Sequence, residues 1–119
     1  GRFATGLRLV GEAAFRRLTT PRGMLRGGED EKNYGLDLSE YIGSTKPTQD
    51  AAAMPGRIAG ELTKDERILS VDTKVTTTTV NGQDTFDVVV EATTSEGPFT
   101  LQIGIGLLKI ELLGITVGA

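Results

Sequence analysis

The dipeptide Asn81-Gly82 lies between two runs of alternating residues, and no other feature constrains the fold of this chain as tightly. Asn-Gly favours a type I′ turn, because both residues tolerate positive φ and the turn's twist matches that of paired strands. With Val80 opposite Gln83, the residue numbers of every cross-strand pair sum to 163. Val71 then faces Ala92, Thr73 faces Val90, Val75 faces Val88 and Thr77 faces Phe86. One face of both strands becomes apolar or β-branched at once, as a half-buried hairpin requires. The other face sets Asp72 against Glu91, an unfavourable pair with Lys74 on the diagonal as the candidate to relieve it. Ser95-Glu96-Gly97-Pro98 reads as the next turn. Phe99, Leu101, Ile103 and Ile105 then alternate with Thr100, Gln102 and Gly104 as a third strand. Beyond Gly106 the tail from Leu107 to Val117 is apolar except at Lys109, Glu111 and Thr116. An apolar strand at a chain end carries unpaired N–H and C=O groups, so it either folds back on its own sheet or joins a neighbour's.

The first half of the chain reads as helical. Val10, Ala13, Ala14 and Leu18 fall on one helix face, with Glu12, Arg16 and Arg17 on the other, which predicts an amphipathic helix over 11–19. Thr20-Pro21 ends it, since a residue before proline is pushed out of the α region. Phe3, Leu7 and Leu9 precede it, either as core or as an arm to a partner. Residues 23–32 are Gly-rich and charged, a surface loop. Asp37 to Gly43 suits a short helix capped by Asp37 and closed by Gly43, and Ser44 to Gln49 a linker. Met54, Ile58 and Leu62 share a stripe of a further helix running to about Thr63. Pro55 admits a start at Pro55 itself or near Gln49 with a kink, and the earlier start is preferred. Glu61 and Lys64 read as surface charges of that helix. The expected architecture is α+β: amphipathic helices, then a small antiparallel sheet that they cover, in a single domain spanning 1–119, with an apolar C-terminal strand available for pairing between subunits.

Composition narrows the function by exclusion. A chain of 119 residues buries roughly two thirds of its unfolded surface. Hydrophobics at 38% and a mean hydropathy of −0.11 imply a soluble domain with a modest core. No apolar run approaches the ~20 residues of a membrane-spanning helix, and no signal peptide is visible. The lack of Met at position 1 implies a processed or trimmed start. Without cysteine or histidine the chain lacks disulfides, thiolate ligands, the commonest general base and the commonest transition-metal ligand, so no metal or cofactor is expected. Residues 1–32 hold seven Arg or Lys against four acids, and residues 33–119 hold six against twelve. That basic end does not read as a nucleic-acid site, because its charges are scattered, no aromatics interleave with them, and the pI is 4.9. Arginines of this kind suit protein interfaces, where the guanidinium pairs bidentately with carboxylates.

Three segments taken in order say more. Leu18-Thr19-Thr20-Pro21-Arg22-Gly23, Asn33-Tyr34-Gly35-Leu36-Asp37-Leu38 and Asp65-Glu66-Arg67-Ile68 each have an ordinary local meaning: a helix stop, a turn and a charged junction before a strand. In this order and at this spacing the chain resembles the W/lysozyme-like family of contractile tails, over about Val10 to Val90. Its members are baseplate wedge components and sheath initiators of tailed phages, with counterparts in type VI secretion and extracellular injection systems.

The resemblance implies a structural virion protein of the tail baseplate, made and assembled in the host cytoplasm and present in several copies of a symmetric assembly. It would clamp wedge subunits and start sheath polymerisation by offering strands to sheath subunits, with tail tube or hub proteins as further partners. Family members carry Glu-Pro-Arg before the first strand to hold partner helices. Here Asp65 stands at the Glu position, Arg67 at the Arg position, and Glu66 where the proline would be. Arg22 is the contact residue implied at the first turn, and Tyr34 packs at the domain edge. Leu108, Ile110, Leu112, Ile115 and Val117 are the candidate residues for pairing with sheath strands. The same fold resembles a stress-response anti-adapter that acts as a monomer, which is a different class of function. The family name also invites a glycosidase reading, which needs two carboxylates about 5 to 9.5 Å apart across a cleft. No such pair stands out among the sixteen acids, and the aromatic content of 5% offers few sugar-stacking platforms, so the chain is not expected to be an enzyme.

Overall fold

The computed structural model describes residues 2–20, 36–41 and 48–118. Arg22, the loop 23–32, Tyr34, Gly43 and most of the expected linker lie outside them. Helix α1 spans Arg2–Thr19, a 3-10 turn spans Leu38–Tyr41, and helix α2 spans Thr48–Leu62. Strands β1 (Ile68–Val80), β2 (Gln83–Thr94), β3 (Gly97–Ile105) and β4 (Ile110–Val117) follow, forming one antiparallel sheet in the order β1-β2-β3-β4. The helices pack on a single face of it, α1 over β3 and β4 and α2 over β1. This is the α+β architecture expected from the alternation.

The hairpin adopts the register set by its turn. Val80 pairs with Gln83 and the offset holds back to Ser70 opposite Thr93, including Val71 with Ala92, Val75 with Val88 and Thr77 with Phe86. Asn81 and Gly82 have φ of 53° and 79°, the two positive values that a type I′ turn demands. Beyond Ser70 the register shifts, with Ile68 opposite Thr94 and Leu69 as the extra residue. That bulge turns Ile68 into the core at 4% exposure and leaves Leu69 outside at 63%. The C-terminal tail folds back in cis, with β4 pairing β3 from Phe99–Val117 to Ile105–Ile110. A second shift, between Gln102 and Ile103, leaves Leu113 as the extra residue there. Phe86, Val88, Val90 and Ala92 of β2 and Phe99, Leu101, Ile103 and Ile105 of β3 are buried and form the floor of the core.

Helix α1 begins well before the predicted 11–19. Leu7, Val10, Ala14 and Leu18 make one buried stripe, so Leu7 belongs to the core, whereas Leu9 faces away and is exposed. Two glycines hid this first half, because each lowers helix propensity by about 1 kcal/mol. Gly11 has a packing reason: a Cβ there would lie 3.2 Å from Ile115 Cγ2 and 3.4 Å from Leu101 Cδ2, so the helix crosses the sheet at its bare backbone. The helix closes on hydroxyls, Thr19 Oγ1 donating to Phe15 O (3.0 Å) and Thr20 Oγ1 to Arg16 O (2.6 Å). Leu36 N donates to Arg17 O (3.2 Å) where the described chain resumes. Asp37 precedes the 3-10 turn with φ of 59°, a left-handed conformation that Asp tolerates. Helix α2 starts one residue before Gln49 and carries Pro55 inside it, while Met54, Ile58 and Leu62 are fully buried.

The close approach at Gly11 yields a prediction. Gly11→Leu should destabilise the fold by about 1–3 kcal/mol through overpacking against Ile115 and Leu101. Gly11→Ala should be near neutral, its helix-propensity gain of about 1 kcal/mol offset by the tight methyl contact. Urea unfolding reads both variants, and a Gly11→Leu protein as stable as the parent would contradict this packing.

Candidate functional site

The junction between α2 and β1 is a run of tight turns. Thr63 N donates to Ala59 O (3.0 Å), Lys64 N to Glu61 O (3.3 Å), Asp65 N to Leu62 O (3.1 Å) and Ile68 N to Asp65 O (2.9 Å). Within it the Asp65 carboxylate takes hold of Arg67 three ways. Oδ1 accepts from the Arg67 backbone N–H (3.0 Å) and from Nε (3.0 Å), and Oδ2 accepts from Nη2 (2.6 Å). The side chain of Asp65 is 15% exposed and that of Arg67 is 55% exposed. The guanidinium is thus fixed by its Nε–Nη2 edge, and Nη1 makes no hydrogen bond among the described residues. The hydrogen bond from Arg67 holds the Asp65 carboxyl below its ordinary value, and the same bond raises Arg67. Glu66 is exposed beside this clamp.

The bulge at Leu69 places the clamp against the β2–β3 turn, since Ile68 pairs with Thr94. Val10, Arg67, Thr94, Ser95 and Glu96 line a small recess of about 80 Å³ there. Thr94 Oγ1 stiffens the turn, accepting from Glu96 N (3.1 Å) and donating to Gly97 O (2.8 Å). Chemically, the arrangement presents a pre-oriented set of N–H donors suited to a carbonyl or carboxylate.

A second charged group lies across the helix pair, and it corrects the reading of Glu61 as a surface charge. Glu61 is 2% exposed, and its carboxylate sits between Arg17 Nη1 of α1 (3.0 Å) and Lys64 Nζ (3.1 Å). Desolvating a carboxylate is tolerable only with such partners, so this contact ties α1 to α2. Its signal was legible, for Glu61 lies three residues after Ile58 and seven after Met54, on the buried stripe. Beside it, Arg57 Nη1 donates to Tyr41 Oη (2.6 Å), and the Tyr41 ring meets Phe86 edge to face at 5.7 Å. Leu36, Arg57, Gly60, Glu61 and Lys64 border a recess of about 310 Å³.

The C-terminal candidates separate. Leu108 is 92% exposed in the β3–β4 connection, whereas Ile110, Leu112, Ile115 and Val117 are half-buried and pack against the core of their own sheet. Their side chains serve the fold; what β4 leaves outward is its backbone edge. Leu113 and Leu107 were missed, and both are exposed. Leu113 lies on the open face of the sheet over Gly104, where a Cβ would come within 3.2 Å of its Cδ1. The structure therefore brings Asp65, Glu66 and Arg67 together and leaves Leu108 apart from them. Searches of protein-family models, of curated proteins and of solved structures return no match to this chain.

Two outcomes follow from these charges. Glu61→Ala should cost about 2–4 kcal/mol in urea unfolding, because it removes the buried carboxylate that bridges Arg17 and Lys64; a loss below about 0.5 kcal/mol would contradict the tie. Asp65 titrates lower in the folded than in the unfolded chain. Its stabilisation is thus fully present above the unfolded value near 3.8 and fades as pH falls through the folded value beneath it. Asp65→Asn should be less stable than the parent at neutral pH by up to about 1 kcal/mol, and the gap should close only in that acid range. A gap independent of pH would contradict the assignment.

Proposed function

We propose that this chain is a structural subunit of a phage contractile-tail baseplate, holding wedge subunits and seeding sheath polymerisation. The observation that carries this reading is the Asp65–Arg67 clamp. The acid and the arginine of the third segment are joined at the mouth of β1, with one edge of the guanidinium committed and Nη1 without a hydrogen bond among the described residues. A guanidinium fixed in this way offers donors to helix-terminal carbonyls or to carboxylates of a wedge partner without first losing rotamer freedom. The clamp does not depend on a proline, since the Asp65 carboxylate itself closes the backbone at Arg67.

Seeding of sheath would use the outer edge of β4. No strand pairs with that edge among the described residues, and the charges near it are Lys109 and Glu111, 3.7 Å apart. A sheath strand added there would continue the sheet, with exposed Leu108 and Leu113 beside it. The equivalent subunit of a type VI or extracellular injection system would use the same two surfaces, and the neighbouring genes separate that reading from the phage one.

Arg67→Ala tests the proposal. The pair is partly exposed, so the isolated domain should stay folded and lose less than about 1 kcal/mol. Co-assembly with wedge proteins should weaken by about 2–5 kcal/mol, a drop on the order of thirtyfold or more. A variant that unfolds, or one that enters wedges normally, would contradict the proposal.

A further inference from the structure

The edge of β1 is a second unpaired edge, and its sequence is complementary to itself. The residues flanking a two-residue turn exchange both N–H···O bonds, so the even-numbered residues from Val80 backwards direct their backbone groups at β2. The odd-numbered residues Val71, Thr73, Val75 and Thr77 therefore direct theirs at the free edge. Among the described residues no strand takes them up. Soluble edges are normally blunted by proline, bulges or charge, and between Ser70 and Val80 only Asp72 and Lys74 serve that end.

We propose that β1 pairs antiparallel with β1 of a second copy of this chain, about a two-fold axis at Thr73. Residue numbers of facing pairs then sum to 146, and three separate features converge on that register. Odd residues face odd residues, so the unpaired backbone groups of Val71, Thr73 and Val75 meet their counterparts. Asp72 faces Lys74 twice, once on each side of the axis, at the closely spaced positions where side chains approach most. Both are exposed, and neither makes an ion pair among the described residues. On the helix side Val71 faces Val75, and Thr73 faces itself. Thr73 Oγ1 is the one buried side-chain polar atom without a hydrogen-bond partner among the described residues, and a cross-strand Thr–Thr pair supplies one.

Neighbouring registers are disfavoured. A shift of the axis by one residue sets Asp72 against Asp72 or Lys74 against Lys74 on the axis itself. The bulge at Leu69 ends the straight edge on one side, so pairing runs from Ser70 to Thr76. The resulting contact is isologous and closes on itself, joining two four-stranded sheets into one of eight. It uses the edge opposite β4 and does not depend on the baseplate reading.

Sedimentation equilibrium of the full chain over a concentration series tests it by charge exchange. The parent should show a monomer–dimer equilibrium weakened by salt. D72K and K74D should each weaken dimerisation roughly tenfold or more, by setting two like-charged pairs across the axis. The double variant D72K/K74D should recover it. D72K also places opposite charge against Glu91 within the monomer, so its melting temperature should not fall, which separates lost pairing from lost folding. A parent that is monomeric at every concentration would overturn the inference. So would a dimer indifferent to the single exchanges, or a double exchange that fails to restore it.

Discussion

Four strands must keep their apolar side chains on one face, because the described helices cover only one face of this sheet. Strand alternation has a period of two, and a slip of one residue sends a whole set of side chains to the wrong side. The chain resets that phase twice. Leu69 lets the inward set pass from Ile68 to Val71, and Leu113 lets it pass from Ile110 and Leu112 to Ile115 and Val117. Each bulge also has an outward consequence. The first brings Arg67 beside the β2–β3 turn, and the second exposes Leu113 on the open face. The position of the candidate site is thus a by-product of how the sheet keeps its register.

The helix layer is held by shape and by one buried charge. Helix α1 reaches the sheet because Gly11 has no side chain to hold it away. Its far end is tied to α2 by the contact between Arg17 and Glu61, whose side chain is buried. A buried ion pair adds little stability relative to an apolar pair of the same shape, but it strongly penalises arrangements in which the charge is left alone. That asymmetry suits a contact whose task is to fix where two short helices meet.

Much of this was legible before any coordinates. The hairpin register followed from one turn and two alternating strands, since Asn81-Gly82 leaves no freedom in which residues face each other. The phase breaks at Leu69 and Leu113 were not anticipated, although even-numbered apolar residues give way to odd-numbered ones at both. The first half of α1 was not legible, because Gly6 and Gly11 look like helix breakers unless the close approach to Ile115 is known. Glu61 was misread because charge usually marks the surface, although its spacing from Met54 and Ile58 put it on the buried stripe. Of the candidate site, the junction Asp65-Glu66-Arg67 was picked out by motif, whereas the three-fold grip of Asp65 on Arg67 depends on turn geometry that no spacing rule supplies. The inward packing of Ile110, Leu112, Ile115 and Val117 is the ordinary consequence of a strand finding its own sheet first.

A fixed arginine fork at one end of an edge strand, with a strand edge on the far side of the sheet that is unpaired among the described residues, supports the proposed role in joining other chains. The proposed function is tested most directly by an electron cryomicroscopy map of the contractile particle that it requires. The account predicts this chain in the inner ring of the baseplate, with the Arg67 guanidinium within about 3 Å of carbonyl or carboxylate oxygens of a wedge helix and Asp65 still bound to it. A baseplate without this chain, or one in which Arg67 faces solvent in every copy, would contradict it.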